Sequence, residues 1–212
     1  MNKKVILFDL DGTLINTDML IIRSYMHLFD TYRPDYPLTM QELISFLGPV
    51  LKDVFPRYFK EDFDTLLKTY HGYSKANISR FVSLYDDVIF MLESFKNAGI
   101  KMGIVTNRFK YSADDVTSPF DINKYFDVFI ALDDMTNPKP HPEGINLAIE
   151  RLGVNKEDVI YVGDNKSDYL AAKASGVKTA LISWTIGRDN SLLNPDILIN
   201  SYKEFTKEIL ND

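Results

Sequence analysis

Residues 5–14 read Val5-Ile6-Leu7-Phe8-Asp9-Leu10-Asp11-Gly12-Thr13-Leu14. Four apolar residues in a row end on one carboxylate, a second carboxylate follows two positions later, and a glycine then opens a turn. A short apolar run without polar alternation is what a strand buried on both faces of a parallel sheet requires. The pattern returns at Met102-Gly-Ile-Val-Thr106, Val128-Phe-Ile-Ala131, Val159-Ile-Tyr-Val162 and Thr179-Ala-Leu-Ile182.

Helical patterns with start and stop signals lie between these runs. Asp86 or Asp87 opens a helix whose inner stripe is Val88, Met91, Leu92 and Phe95, and Gly99 stops it. Pro142 suits the first turn of a helix carrying Ile145, Ala148, Ile149 and Leu152, with Gly153 as its stop. Ser167 begins a third that ends at Gly176, and Ser201 with Glu204 makes a capping box for a last one. Strand alternating with helix predicts an α/β fold built on a doubly wound parallel sheet.

From Asn16 to Val82 no strand pattern occurs. Met19, Ile22, Met26 and Phe29 form one amphipathic stripe, and Phe63, Leu66, Leu67 and Tyr70 form another. Between them, Thr39 and Glu42 make a capping box leading to Leu43, Phe46 and Leu47. The breaks Pro34-Asp-Tyr-Pro37 and Gly48-Pro49 separate the helices. The expected organisation is an α/β core of residues 1–15 and 83–212, with residues 16–82 as an inserted helical domain.

Composition removes several classes of function. The 212 residues carry 24 Lys plus Arg against 30 Asp plus Glu, a net charge of −6, which is the wrong sign for a general nucleic-acid or anionic-membrane binder. The absence of cysteine excludes disulfides, thiolate zinc sites and a cysteine nucleophile. The apolar run Val5 to Phe8 is broken at once by Asp9, and no apolar stretch approaches the roughly 20 residues of a membrane span. The expected address is the cytoplasm, and the expected state is a monomer or homodimer.

In an open parallel sheet the ligand lies beyond the carboxyl ends of the strands. Asp9, Asp11, Gly12 and Thr13 follow the first strand, and Thr106 and Asn107 the second. Lys139 lies in the loop after the third, between Pro138 and Pro140, and Gly163, Asp164 and Asp168 follow the fourth. Carboxylates crowded into one crevice repel unless a hard cation joins them, and an all-oxygen set points to Mg2+, with Asp9, Asp164 and Asp168 as ligands. Such an ion commonly completes its shell with phosphate, so the expected partner is a small phosphorylated substrate. The Asp11-Gly12-Thr13 turn is expected to aim backbone N–H groups inward, with Gly12 allowing close approach or positive φ. A strand-end aspartate can then serve as a nucleophile and its neighbour as acid and base; Asp9 and Asp11 suit these tasks.

Plainer readings stand beside these. Asp9 and Asp11 could simply cap a turn, Lys139 could be a solvated loop lysine, and Asp168 could only stabilise the start of its helix. Arg108 could reach a second phosphate or be an exposed loop residue. His141 reads as a surface histidine, His27 and His71 lack metal-ligand spacing, and Trp184 reads as core or interface.

The four strand-end segments resemble the signature motifs of the haloacid dehalogenase superfamily. Phe8-Asp9-Leu10-Asp11-Gly12-Thr13-Leu14 is similar to the first, Thr106-Asn107 to the second, Lys139 to the third and Gly163-Asp164-Asn-Lys-Ser-Asp168 to the fourth. The helical insertion resembles the C1 cap of one branch. The resemblance implies Asp9 as nucleophile and metal ligand, and Asp11 as general acid/base that also lends its carbonyl to the metal. It implies phosphoryl binding by Thr106 and the Asn107 backbone, and charge neutralisation by Lys139. Asp164 would ligate the metal directly, and Asp168 through water or by orienting the shell.

Asp11 favours phosphate-ester or phosphoanhydride chemistry, since relatives that cleave carbon–halogen or carbon–phosphorus bonds lack that aspartate. Three further stretches look like the small phosphatases of the inorganic pyrophosphatase or phosphoglycolate phosphatase type: Leu14-Ile-Asn-Thr17, Phe46-Leu-Gly-Pro49 with Asp53-Val-Phe55, and Ser183-Trp-Thr-Ile-Gly-Arg188 leading to Asn194-Pro-Asp196. Asn16 departs from the aspartate that many relatives carry. The expected function is Mg2+-dependent hydrolysis of pyrophosphate or 2-phosphoglycolate through an aspartyl-phosphate, under a cap whose Gly48 region closes over the substrate. A phosphomutase of the β-phosphoglucomutase type is the alternative, and a phospho-accepting receiver module a distant third.

Overall fold

The computed structural model describes residues 4–185 and 193–211. β1 (Val5–Phe8) is wholly buried. After a turn at Gly12, where φ is 76°, the chain makes β2 (Ile15–Asn16) and then four helices: α1 (Asp18–Tyr32), α2 (Met40–Ser45), α3 (Leu51–Tyr58) and α4 (Phe63–Phe81). It returns through β3 (Ser83–Leu84), which pairs antiparallel with β2. The remainder alternates as α5 (Val88–Asn97), β4 (Lys101–Val105), α6 (Lys110–Thr117), β5 (Val128–Ile130), α7 (Glu143–Leu152), β6 (Val159–Gly163), α8 (Lys166–Ser175), β7 (Lys178–Ile182), β8 (Ile197–Ile199) and α9 (Tyr202–Asn211).

The main sheet runs β5-β4-β1-β6-β7-β8 with every pair parallel. The fold class is the doubly wound α/β sheet that the apolar runs predict. Successive strands are added to one side of β1 up to β5 and to the other from β6 on, so the order reverses between β1 and β6, the place where such sheets open a ligand crevice. Period-2 geometry sends alternate side chains to opposite faces. Ile6 and Phe8 join Met91 and Phe95 of α5 and Phe205 of α9; Val5 and Leu7 join Ile145 of α7 and Ala171 of α8. Both faces are therefore dry, which is why the strands carry no polar alternation.

Helices α1 to α4 share a separate cluster, rich in aromatic rings. Tyr25 is its centre, with ring centroids 4.5 Å from Phe46 and 5.2 Å from Tyr70. The capping box of Thr39 and Glu42 forms as expected. The stripe assigned to α1 is shifted: Met19 is exposed, whereas Leu20, Tyr25 and Leu28 are fully buried. Helix α1 packs chiefly on α4 and buries a wider arc than one stripe supplies. Asn165, not Ser167, caps α8. At α9, the Glu204 N–H donates to Ser201 Oγ at 3.2 Å, the first arm of the expected box.

Sequence patterning misses α3, α6, β8 and the two-residue strands β2 and β3. Pro56 sits inside α3 and removes a backbone donor, erasing the usual helix signal. β8 is a three-residue edge with Leu198 exposed. No helix among the described residues is long and apolar enough to cross a membrane.

Two glycines test the packing from opposite sides. A Cβ on Gly103 of β4 would lie 2.4 Å from Val128 Cγ1 and 2.7 Å from Leu7 Cδ2, whereas one on Gly72 of α4 would meet nothing within 4 Å. Gly103→Ala should lose about 1–3 kcal/mol through overpacking, and Gly72→Ala should gain about 1 kcal/mol from helix propensity. Urea unfolding midpoints of the two variants should move in opposite directions.

Candidate active site

Asp9 leaves the carboxyl end of β1, and Thr106 to Arg108 leave that of β4. Lys139 comes from the loop after β5, Asp164 directly follows β6, and Asp168 stands in the first turn of α8. Among them, Asp9 and Asp168 converge on the ammonium of Lys139, which is almost completely buried. Lys139 Nζ lies 2.8 Å from Asp9 Oδ1 and 2.7 Å from Asp168 Oδ1, and donates to the Tyr161 hydroxyl at 2.9 Å. Three N–H bonds thus meet three partners. Burial alone would lower the Lys139 pKa, but Asp168 and Asp9 hold it well above the ordinary lysine value. It is a fixed positive charge rather than a solvated loop lysine.

Asn107 positions that lysine. Its side-chain amide donates to Lys139 O and its Oδ1 accepts from Lys139 N, both at 2.9 Å, so the β4 and β5 loops are stitched together. Asp168 is equally constrained. Oδ2 accepts the Asp164 and Asn165 N–H groups at 3.2 Å each, and Oδ1 takes Lys139 and the Tyr161 hydroxyl. Its capping role at α8 and its place in the charge cluster therefore coexist. Gly163 makes room for it: a Cβ there would fall 2.3 Å from Asp168 Cβ.

Asp11 stands apart from this cluster. Its carboxylate takes a two-pronged hold from Arg108, with Nε to Oδ2 at 2.9 Å and Nη2 to Oδ1 at 2.7 Å, and a hydrogen bond from Thr17 Oγ1 at 2.6 Å. Burial would raise its pKa, but the Arg108 guanidinium holds it below the ordinary aspartate value. Arg108 is consequently no exposed loop residue; its side chain is 9% exposed.

The turn at Gly12 departs from expectation. Gly12 takes the expected positive φ, but its N–H donates to Ile15 O, and the N–H groups of Thr13 and Leu14 both go to Leu10 O. They close the turn onto itself and are not left for an anion. Thr13 is fully buried, with its carbonyl accepting the Tyr202 hydroxyl at 2.8 Å. Neither Gly12 nor Thr13 lines the cavity. Asp9, Asp11, Thr106, Asn107 and Lys139 do, on one wall of a space of about 700 Å3. Gly48, with φ 106°, lines it from the helical side, and a Cβ there would stand 3.5 Å from Asn165 Nδ2. That amide donates to Asp164 Oδ1 at 3.0 Å. His141 is a surface residue whose Nδ1 accepts the Glu143 N–H at 3.2 Å. Trp184 packs on Tyr85 and Tyr202 as core, and Arg188 lies outside the described residues.

Sequence reasoning overlooked Tyr161, Thr17 and Asn165. Tyr161 carried a signal, because a phenol inside an otherwise apolar strand needs a partner for its hydroxyl; here its one O–H proton is shared between Asp168 Oδ1 at 3.3 Å and Val105 O at 3.1 Å.

One oxygen from each of Asp9, Asp164 and Asp168 lies within 4.8 Å of the others, and all three residues are buried. Three carboxylates share this corner with one ammonium, while Asp11 and Arg108 cancel. The strain shows at Asp9: burial pushes its pKa up to about 7, with Lys139 opposing and Asp168 adding to the rise. Hard oxygen donors grouped in this way fit a divalent cation.

Comparison with known proteins agrees with this geometry. The family profile described as haloacid dehalogenase-like hydrolase matches residues 6–182. A protein named pyrophosphatase PpaX from Anoxybacillus flavithermus is 36% identical over 206 residues, covering 96% of this chain and 95% of the relative. Its namesake from Halalkalibacterium halodurans is 37% identical over 203 residues, covering 95% and 94%. Among solved structures, a haloacid dehalogenase-like family hydrolase from Streptococcus pneumoniae superposes with a TM-score of 0.81 at 25% identity, covering 97% of this chain and 98% of the other. CbbY from Rhodobacter sphaeroides, solved with phosphate, has the same fold at TM-score 0.83 and 21% identity, with 96% of each chain covered. A buried lysine held by Asp9 and Asp168 at the carboxyl ends of the strands and the helix start beyond them, and a profile match over residues 6–182, lead to one conclusion: this protein belongs to the haloacid dehalogenase-like hydrolase family.

Proposed function

We propose that the protein is a Mg2+-dependent phosphohydrolase that cleaves a small phosphorylated metabolite through an aspartyl-phosphate, with inorganic pyrophosphate and 2-phosphoglycolate as its leading substrates. The observation that carries this reading is the convergence of Asp9, Lys139, Asp164 and Asp168 at the reversal point of the sheet. The relatives named pyrophosphatase, similar over nearly the whole chain, direct the choice of substrate.

In this reading an Asp9 carboxylate oxygen forms a bond to phosphorus as the bond to the leaving oxygen breaks, and Asp11, which takes a proton from solvent once Arg108 releases it, delivers that proton to the leaving oxygen. Water then gives a proton back to Asp11 and attacks phosphorus; the bond to Asp9 breaks and inorganic phosphate departs. Asp11 reaches the leaving oxygen only once its hold on Arg108 loosens. Lys139 keeps Asp9 oriented and offsets the charge brought by the phosphoryl group, and Thr106 at the neighbouring strand end binds a phosphoryl oxygen. Asp9 and Asp164 would hold the metal, with Asp168 orienting the shell; when bound, the ion supplies Lewis-acid neutralisation of phosphoryl oxygens. Phosphoryl transfer needs chiefly positioning and electrostatics, and both are built into this wall of the cavity.

Residues 16–82 act as a cap in this proposal. Support comes from their separate apolar cluster, from the β2–β3 pair through which the chain leaves and returns, and from Gly48 beside Asn165. Closure excludes bulk water from the phosphoryl group.

Asp9→Asn should retain its thermal melting profile while turnover falls more than roughly 1,000-fold, because the amide is no nucleophile. Appreciable turnover in a preparation free of other phosphatases would remove the nucleophile assignment. Chelation should abolish phosphate release; Mg2+ should restore it and Ca2+ should not, since the larger ion prefers a looser, higher-coordinate shell. Activity persisting in chelator would overturn the metal assignment. In a phosphate-release panel, pyrophosphate or 2-phosphoglycolate should rank first, and a clear preference for a hexose phosphate would defeat the substrate choice.

A further inference from the structure

The geometry points to Arg108 as the specificity-determining residue for this reaction: its guanidinium receives a second anionic group on the leaving side of the substrate, so the preferred substrates are compact phosphates whose leaving group is itself an anion. This deepens the phosphohydrolase reading and rests on it.

Two cationic side chains stand in the wall that carries Asp9 and Asp11, and they are differently committed. Lys139 has all three N–H bonds engaged by Asp9, Asp168 and Tyr161. It belongs to the transferring phosphoryl group and has no donor to spare for the rest of the substrate. Arg108 has five N–H donors in a planar fork. Nε and one N–H of Nη2 go to Asp11, and one N–H of Nη1 goes to Ser112 Oγ at 2.8 Å. Two N–H bonds, one on each terminal nitrogen, have no partner among the described residues.

Ser112, in the first turn of α6, fixes the plane of that fork before any ligand arrives. The guanidinium is largely buried, so an anion that reaches it is held more firmly than by an exposed lysine such as Lys52, which also lines the cavity. Tyr70, His71 and Tyr111 line the same end of the cavity. His71 is itself occupied, 3.3 Å from Asp115, and burial lowers its pKa, so it adds little cationic charge. This part of the cavity therefore offers one strong anion receptor set among rings. A phosphate or carboxylate can accept from the two free N–H bonds, and its charge would weaken the guanidinium's hold on Asp11. That weakening would free Asp11 only when a substrate of the right charge is in place.

The test is a ratio, because Arg108 also touches Asp11 and any general loss must cancel. kcat/KM is measured with Mg2+ for 2-phosphoglycolate and for 2-hydroxyethyl phosphate, which shares its skeleton but lacks the carboxylate, in the wild type, Arg108→Gln and Arg108→Lys. The anionic-over-neutral ratio should fall about 10- to 100-fold in Arg108→Gln, mainly through KM, the size expected of charge-assisted hydrogen bonds. Arg108→Lys should recover part of it, since it keeps the charge and loses the fork. A ratio unchanged within twofold in both variants would overturn the inference and leave Arg108 as an anchor for Asp11.

Calorimetric binding of methylenediphosphonate against methylphosphonate gives the same comparison without turnover. Selectivity for the diphosphonate that is lost in Arg108→Gln supports the inference even in a wild type that releases no phosphate from either ester, an outcome that would sink only the phosphohydrolase reading. Equal wild-type affinity for the two phosphonates would overturn the inference by itself.

Discussion

A single buried ammonium organises this protein. Taking Lys139 out of water is unfavourable by several kcal/mol, and the structure offsets that loss only by bringing Asp9, Asp168 and Tyr161 onto it at once. Those three partners come from β1, α8 and β6, and the lysine itself from the loop after β5. Satisfying one charge thus fixes four chain segments relative to one another. Removing any one partner would leave the others partly unanswered in a medium where electrostatic terms are large. The same arrangement brings the oxygens of three buried aspartates together, so the interaction that shapes the site also leaves donors suited to a hard cation.

The rest of the fold serves that cluster by fixing directions. β1 lies between β4 and β6 in strict parallel register, which puts Asp9 and Asp164 at adjacent strand ends. Gly163 lets the Asp168 side chain rest against the end of β6, and the reciprocal Asn107–Lys139 bonds hold the loop that carries the ammonium. Residues outside the charge cluster are as constrained as those within it, and in the proposed reading a displacement of about 1 Å would be costly.

Much of this was legible in the chain. Doubly buried strands announce themselves as uninterrupted apolar runs, and the ligand rule for parallel sheets then nominates whatever follows each run; Asp9, Thr106, Lys139 and Asp164 emerge that way. What stayed hidden had physical causes. Arg108 and Asp11 are 97 positions apart, so no local pattern relates them. The N–H groups after Asp11 were expected to face an anion, but a glycine turn can equally consume its own donors, and positive φ at Gly12 fits both outcomes. In α1 the apolar stripe misled because aromatic packing around Tyr25 buries a broader arc than aliphatic spacing suggests. α3 was obscured by Pro56, and β2 and β3 are too short to show any period.

The β2–β3 ribbon has one more implication. Residues 17–82 depart from and rejoin the sheet layer at one hydrogen-bonded doorway only two residues wide on each side. The ends of that long excursion are already adjacent, so lengthening, shortening or replacing it alters loop entropy only slowly and leaves the strand order undisturbed. If the helical excursion is the cap proposed above, evolution can graft a different roof onto an unchanged floor, and new substrate preferences can arise without relearning the chemistry beneath.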